Sequence, residues 1–497
     1  MKQLRACIFL LLCMHGLSCS QKTDKNNGLK FLGYIETLPT TQINNNSWTI
    51  GCEVLDRDYA NYYSYNNYLP ELGAKTARLQ MGWAKCERQK GVYDFGWIKE
   101  IIIDLKARNI LPWLQLSYGN TIYEGGGDPT LAGGMPYSQE ALNAWDNWVK
   151  ATVLLFKDYT NYWEVWNEPN LRNKHNTMQD PADYGKFFIR TAEIIRQIQP
   201  DAVISGLALC GMHEYSFGYI KSFLDYLKDA DKLDLLNEIT YHPYPPIPEE
   251  TYPLAERLRS MLSEYSATIK IKHGETGCPS GRQISGPLEK YDWTETSQSK
   301  WLLRRMCGDY ANNIPTSIFA IIDYSYPKTK SLYDEGYTIK MGLLAKDSLK
   351  QVSKIKPSFY AVRNAISIMN NKWQKTDDKP VIMPQKDFTN AEDIYACHFM
   401  NRQSGKDMLI AWVGNKIPGN SMQKTLVDLS VRPVHFEEPA FIDLLDGKVF
   451  SIYEKNLKMN NDTCVLSNIP IYDSPVIITE KSEISITKQL KKGLNIQ

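Results

Sequence analysis

The sequence predicts an α/β chain built as a (β/α)8 barrel followed by a C-terminal β-sandwich. Three observations carry this expectation. From residue 48 onward, short apolar runs alternate with segments of helical spacing, eight times over roughly 300 residues, which is the rhythm of a closed parallel barrel. Past residue 371 the rhythm changes to closely spaced strands and turns. At 497 residues the chain exceeds one ordinary core and suits a large domain plus a smaller one.

The N-terminus reads as an address. Lys2 and Arg5 precede a short apolar stretch at residues 6–14 (ACIFLLLCM), and small residues then lead to Cys19. That stretch is too short to cross a bilayer, so residues 1–19 are expected to be a signal peptide and not a transmembrane helix. Leu17-Ser18-Cys19 resembles the bacterial lipoprotein box, in which the cysteine becomes the lipidated first residue. The expectation is an exported, membrane-anchored lipoprotein at the periplasmic face or the cell surface, with plain secretion as the alternative. Residues 20–47 are then a polar tether and N-terminal segment.

The barrel is expected over residues 48–371. Its eight apolar runs are WTIGCEVL (48–55), AKTARLQMGW (74–83), ILPWLQLS (110–117), YWEVWNE (162–168), AVISGLAL (202–209), EITYHPY (238–244), IKIKHGET (269–276) and TSIFAIIDY (316–324). Between them, Ile98, Ile101, Ile102 and Leu105 recur at helical spacing, as do Leu142, Trp145, Val149, Val153 and Phe156. Asp180-Pro181 opens a further helix with an N-cap and a first-turn proline. A doubly wound open sheet is the structural alternative, but no glycine-rich phosphate loop follows the first strand.

KPSFYAVRNAISIMNN (356–371) reads as the last barrel helix, and the polar KWQKTDDKP after it as a boundary. Strands such as MLIAWVG and AFIDLLDGKVFSIY, the latter turning at Asp446-Gly447, predict a sandwich over 372–485. Residues 486–497 form a polar tail.

Composition narrows the partners. The 57 Lys and Arg nearly cancel the 56 Asp and Glu, so there is no electrostatic footprint for nucleic acid. The 12 Trp and 30 Tyr suit hydroxyl-rich ligands that stack on rings, and equally an ordinary large core. The cysteines beyond the first nineteen residues are scattered and odd in number, which is no disulfide framework. No CxxC or HExxH spacing appears, so neither a metal nor another cofactor is expected.

Three strand ends hold suggestive groups together. The fourth run ends in Asn167-Glu168, the sixth in His242 and Tyr244, and the seventh in Glu275, while Arg78 sits inside the second. Each alone has a dull reading: a structural ion pair, a core histidine, a surface acid. In a closed ring of eight, however, the fourth and seventh strands face each other across the mouth, so two carboxylates can converge on one point. Glycosidic cleavage with retention needs that pair, one carboxyl protonated to serve the leaving oxygen and one ionised to attack the anomeric carbon, roughly 5 Å apart. Trp163, Trp166 and Pro169 beside Glu168 form a setting that raises its pKa, whereas Arg78 near Glu275 keeps that carboxylate charged. Trp83, Trp113, Trp293 and Tyr324 lie at or near strand ends and are candidates for stacking on sugar faces, with core packing as the alternative for each. The long segments 123–137 and 280–293 are expected to shape a pocket.

WNEPN, followed about a hundred residues later by HGETG, with RLQ on the second strand and YHPY on the sixth, resembles the retaining glycoside hydrolases of clan A. Within that clan, GVYDFGWIKEIIIDLKARNILPWLQLSYG and GLLAKDSLKQVSKIKPSFYAVRN are most similar to family 39, the β-xylosidase-like group. The resemblance implies Glu168 as acid/base, Glu275 as nucleophile, Asn167 as donor to the sugar 2-hydroxyl, and Arg78 and His242 as supports. The expected activity is exo-hydrolysis of a terminal β-linked sugar from a plant or host glycan. A transglycosylase with the same site and a non-catalytic carbohydrate-binding lipoprotein remain as alternatives.

Acylation adds about 0.8 kcal/mol of membrane affinity per buried methylene, so more than one chain gives stable attachment. Cys19→Ala is therefore expected to move the protein from the membrane to the soluble fraction on cell fractionation. Equal partitioning of the variant and the wild type would refute lipidation.

Overall fold

The computed structural model describes residues 28–131, 133–171, 178–327, 335–384, 393–434, 436–460 and 462–489. Cys19 and the expected signal peptide lie outside them, as does most of the expected polar tail. An N-terminal strand, β1 (Leu29–Ile35), comes first. Then β2 (Trp48–Gly51), β3 (Thr76–Gln80), β4 (Leu111–Leu116), β5 (Tyr162–Val165), β6 (Val203–Cys210), β7 (Glu238–His242), β8 (Lys270–Thr276) and β9 (Thr316–Ile318) close into a barrel. All neighbours are parallel, and Trp48 pairs with Thr316 where the ring closes. Each of the eight apolar runs holds one of these strands.

Helices pack around the ring at Gly96–Ala107, Gln139–Phe156, Pro181–Ile198, Glu214–Asp229, Tyr252–Ser263, Glu295–Ala311 and Pro357–Ile368. Asp180 caps its helix by accepting from the N–H groups of Ala182 and Asp183. After β2 the crossover is shorter than the others, with short helical turns at Tyr62–Tyr65, Asn66–Tyr68 and Leu69–Leu72. Among the described residues no helix is long and apolar enough to cross a membrane.

The barrel interior is polar, which an apolar reading of the strands does not anticipate. Near the bottom, Trp113 stacks on Tyr162 with centroids 5.1 Å apart, and the Lys272 ammonium lies 4.0 Å above the Trp113 ring. Burial lowers the pKa of that lysine to about 8. Above them lies a layer of Arg78, Gln115, Glu164 and Thr240, each fully buried. Such groups persist inside only when hydrogen-bonded to one another.

The C-terminal region forms two antiparallel sheets. One runs Trp373–Lys375, Ile394–Asn401, Asp407–Val413, Val476–Glu480, Pro439–Asp443, Lys448–Ile452, β1 and Ile486–Thr487. The other runs Val381–Pro384, Thr425–Val431, Thr463–Ile471 and Leu457–Asn460. Gly447, at φ 71°, takes the left-handed position in the hairpin turn expected at Asp446-Gly447. The stretch at 20–47 is more than a leader to the barrel, because β1 pairs with Lys448–Ile452 on one side and with Ile486–Thr487 on the other. Residues 486 and 487 therefore belong to the sheet, not to a tail. The seven described cysteines are all free thiols.

Barrel and sandwich meet over buried charge. Glu249 accepts from Arg304 through both carboxylate oxygens, and Oε1 accepts also from the Trp412 indole of the sandwich at 2.8 Å. Arg304 in turn donates to the carbonyl of Lys416 at 2.8 Å. Removing one member of a buried pair strands the other, at a cost of about 3–5 kcal/mol. Glu249→Ala is expected to lower the urea midpoint by that equivalent. A midpoint unchanged within error would show that this seam does not hold the two parts together.

Candidate active site

A cavity of about 700 Å³ opens at the C-terminal ends of the barrel strands. Glu168 reaches it from the end of β5. Its position is set by the main chain: Trp166 N–H donates to Leu116 O of β4 at 3.0 Å, and Glu168 N–H donates to Ala208 O of β6 at 3.0 Å. Both residues have positive φ, 68° and 50°, a conformation that costs a non-glycine residue about 1–2 kcal/mol. Packing holds it, since the Trp166 ring is wedged among Tyr118, Trp145 and Phe187. Trp163 and Trp166 thus turn outward, toward the helices, and do not enclose the Glu168 carboxyl as the sequence suggested. The neighbour of that carboxyl is His242, whose Nδ1 lies 2.8 Å from Glu168 Oε1.

Glu275 reaches the cavity from β8, where a shift in register between His273 and Thr276 disturbs the alternation of side chains. Gly274 and Glu275 consequently both face inward. A Cβ on Gly274 would lie 2.9 Å from His242 Nε2, so the glycine makes room for the imidazole. His242 is buried, with Nδ1 also 3.6 Å from Glu275 Oε2. Two carboxylates facing Nδ1 require it to carry the proton. Burial opposes the charged ring, but Glu275 and Glu168 outweigh it and raise the His242 pKa.

Arg78 is the centre of the arrangement. Its Nε donates to Glu164 Oε2 at 2.8 Å, Nη1 to Glu275 Oε1 at 2.5 Å and Glu53 Oε1 at 3.1 Å, and Nη2 to Asn167 Oδ1 at 3.0 Å. Gln115 Nε2 donates to that same Asn167 oxygen at 3.0 Å, which turns the Asn167 amino group toward the cavity. Tyr244 donates to Glu275 Oε2 at 3.1 Å. Burial works against the Glu275 charge, yet His242, Arg78 and the Arg78 and Tyr244 hydrogen bonds hold its pKa below the usual carboxylate value.

The structure brings together Glu168, Glu275, Asn167, Arg78, His242, Tyr244 and Tyr324. It does not bring in the three tryptophans. Trp83 stacks on Tyr123 and meets Trp145 edge-on in the layer behind β3, and Trp113 lies deep in the barrel beneath Arg78. Trp293 is buried within its own loop, its indole donating to Leu288 O at 3.0 Å. For all three, packing is the role observed. Of the two long segments, 123–137 lends Leu131 to the cavity wall and 280–293 lends Gly286 and Pro287.

Sequence reasoning missed several wall residues. Glu53, inside the first apolar run, lines the cavity beside Glu275; burial and the Glu275 charge, against Arg78, push its pKa up to about 8. Gln80, Arg57 and Phe319 also line the wall, as do Tyr326 and Tyr337 of a hairpin formed by Tyr324–Pro327 and Glu335–Ile339. A signal existed for Glu53: a lone charge within an otherwise apolar run. None existed for the hairpin, whose arms carry no strong alternation.

One carboxylate oxygen of Glu168, one of Glu275 and a ring nitrogen of His242 lie within 4.8 Å of one another. Among the described residues this is the one trio of such groups spaced to surround a cation, which the scattered histidines of the sequence did not suggest. Arg78 and Tyr244 already donate to Glu275 there, so a cation would have to compete with fixed donors. Carboxylates with oxygens this near each other can act on one atom from two sides.

Known proteins resemble this chain in part of its sequence and in its fold. The sequence model of the family described as "Glycosyl hydrolases family 39" matches residues 73–260. A β-xylosidase of Geobacillus stearothermophilus is 28% identical over 131 residues, which is 24% of this chain and 26% of that relative. The aligned part thus spans about a quarter of the relative's length. Among solved structures, a family 39 glycoside hydrolase from the gut symbiont Bacteroides cellulosilyticus has a TM-score of 0.61 at 17% identity, covering 88% of this chain and 81% of the other. A monomeric β-xylosidase from Caulobacter crescentus has a TM-score of 0.55 at 16% identity, covering 90% and 97%. At these identities the structural likeness concerns the fold, including the trailing sandwich. Over residues 73–260 the sequence of this chain is similar to glycoside hydrolase family 39, and its fold is similar to that of a family 39 glycoside hydrolase.

Proposed function

We propose that the protein is a retaining glycoside hydrolase that removes a terminal β-linked sugar from a plant or host glycan by double displacement. The observation that carries this reading is the convergence of Glu168 and Glu275 within 4.8 Å at the barrel mouth. Glu275 has a guanidinium on one oxygen and a phenol on the other, which suits an ionised nucleophile. Glu168 stands on the facing strand end with His242 Nδ1 2.8 Å from its Oε1, and takes the role of proton donor.

The reaction follows from these positions. Glu168 hands its proton to the leaving oxygen while Glu275 attacks the anomeric carbon and forms a glycosyl ester. Glu168, now ionised, takes a proton from water, and the hydroxide so formed opens the ester with net retention. His242 Nδ1, in reach of both carboxylates, holds them apart from direct repulsion as charge moves from one to the other. The Asn167 amino group and the phenols of Tyr118 and Tyr324 are placed to meet sugar hydroxyls. Leu131, Pro287 and the stacked Tyr326 and Tyr337 line the cavity, and exo action on a chain end is the mode proposed for it. The names of the relatives make a β-xyloside the first substrate to test. Anchoring through Cys19 would place this site at the membrane surface, where glycans arrive from outside.

Three measurements test the reading. Glu275→Gln is expected to abolish turnover of every nitrophenyl glycoside. Glu168→Gln is expected to lose about 10²- to 10⁴-fold on substrates with basic leaving groups. With a dinitrophenyl leaving group it should still form the glycosyl-enzyme, stall, and be rescued by azide to a glycosyl azide of retained configuration. An inverted product from the wild type would overturn both roles.

The acid limb of kcat/KM reports the nucleophile of the free enzyme. Because the Glu275 pKa is lowered, its charge persists until pH falls through that lowered value, so the limb is expected below the ordinary glutamate pKa of about 4.3. An acid limb near 6 would contradict the assignment. Exhaustive chelation is expected to leave turnover nearly unchanged, and a loss restored by one divalent ion would refute a two-carboxylate mechanism.

A further inference from the structure

Glu164 lies outside the cavity, four residues before Glu168, and has no part in the steps above. It is nevertheless the most completely bonded carboxylate of the barrel interior. Oε2 accepts from Arg78 Nε and from Gln115 Nε2, both at 2.8 Å, and Oε1 accepts from Thr240 Oγ1 at 2.5 Å. Three strands, β3, β4 and β7, therefore aim a donor at one side chain on β5, and that side chain is fully buried.

The donors on Glu164 are also the donors that set the reacting groups. Glu164 Oε2 grips Arg78 from below at both Nε and Nη2, each at 2.8 Å, while Nη1 goes to Glu275 and Glu53 and Nη2 reaches on to Asn167. Gln115 uses one amino group for both Glu164 and Asn167. A guanidinium is planar, so fixing Nε and Cζ fixes where Nη1 and Nη2 point. A rotation of that plane would draw Nη1 from Glu275 and release the Asn167 amide to flip.

We propose that Glu164 is a positioning residue for the reaction, acting through Arg78 and Gln115 to orient the nucleophile Glu275 and the amide of Asn167. The proposal rests on the glycosidase reading of the same site. Two consequences separate it from mere support of the fold. Glu164 contributes negative charge to the Arg78 cluster, so its loss leaves more of the guanidinium's field on Glu275. It also contributes reach, so shortening it displaces Arg78 while keeping the charge.

Glu164→Gln is expected to shift the acid limb of kcat/KM to lower pH by roughly one pH unit, the effect of removing one nearby like charge. Glu164→Asp is expected to leave the limb near its wild-type place and to lower kcat on the order of 10²-fold, as a misplacement of about 1 Å does. Active sites in each preparation are counted with a mechanism-based fluorosugar, so that kcat refers to competent molecules. If Glu164 only supports the fold, both variants lose active sites while the surviving ones keep the wild-type limb and kcat, and that result would overturn the proposal. Should Glu164→Gln not fold, the Glu164→Asp kcat per titrated site decides alone. A wild type that turns over no aryl glycoside would instead defeat the glycosidase reading itself.

Discussion

One guanidinium organises the barrel mouth. Arg78 is fully buried and meets three carboxylates and an amide, and no part of the site is independent of it. Burying a cation alone costs several kcal/mol, and the same is true of each anion, so the cluster is stable only as a set. Its arithmetic explains the unequal states of its members. Three full negative charges around one positive charge would repel, and the burden falls on Glu53, the carboxylate with one buried oxygen left without a partner. A proton on Glu53 leaves the positive charge of Arg78 to Glu164 and Glu275.

The strands bend to serve this cluster. Register shifts interrupt β6 between Gly206 and Leu209 and β8 between His273 and Thr276, both toward the C-terminal ends where the cavity opens. Left-handed backbone at Trp166, Glu168, Leu207 and Ala208 gathers at the same height. Regular strands would present every second residue to the mouth; the irregular ends present Gly274 and Glu275 together and turn Glu168 inward past Pro169. On β5 this backbone lies just past the ladder, and on β6 inside the bulge between Gly206 and Leu209.

Much of this was legible in the sequence. The eight apolar runs mark the eight strands because a barrel strand must fill a fixed distance with β-favouring residues, and the two glutamates stand out because each closes such a run. What the sequence could not show is direction. Trp113 sits on its strand yet points down the barrel, and Trp83, in the helical turn just past β3, points outward; a local pattern does not reveal which. Glu164 and Gln115 read as polar interruptions in apolar runs, because their partners come from other strands. Glu53 was visible as a lone charge in an apolar run but lacked a motif to mark it. The pairing of β1 with the sandwich depends on contacts between opposite ends of the chain, about which local pattern says nothing.

That pairing has a consequence for synthesis. Leu29 meets Ile452, and Ile35 meets Ile486, so β1 leaves the ribosome long before either of its neighbours exists. At about 5–20 residues per second, the delay is tens of seconds. The barrel can close during that interval, because each of its strands pairs with one made shortly before or after, apart from the β2–β9 seam. The sandwich cannot complete its larger sheet until translation is almost over. Through that time β1 is an unpaired edge with Phe31 and Leu32 uncovered, and unpaired edges recruit other chains. A nascent copy of this protein therefore depends on being kept solitary until its last strands arrive.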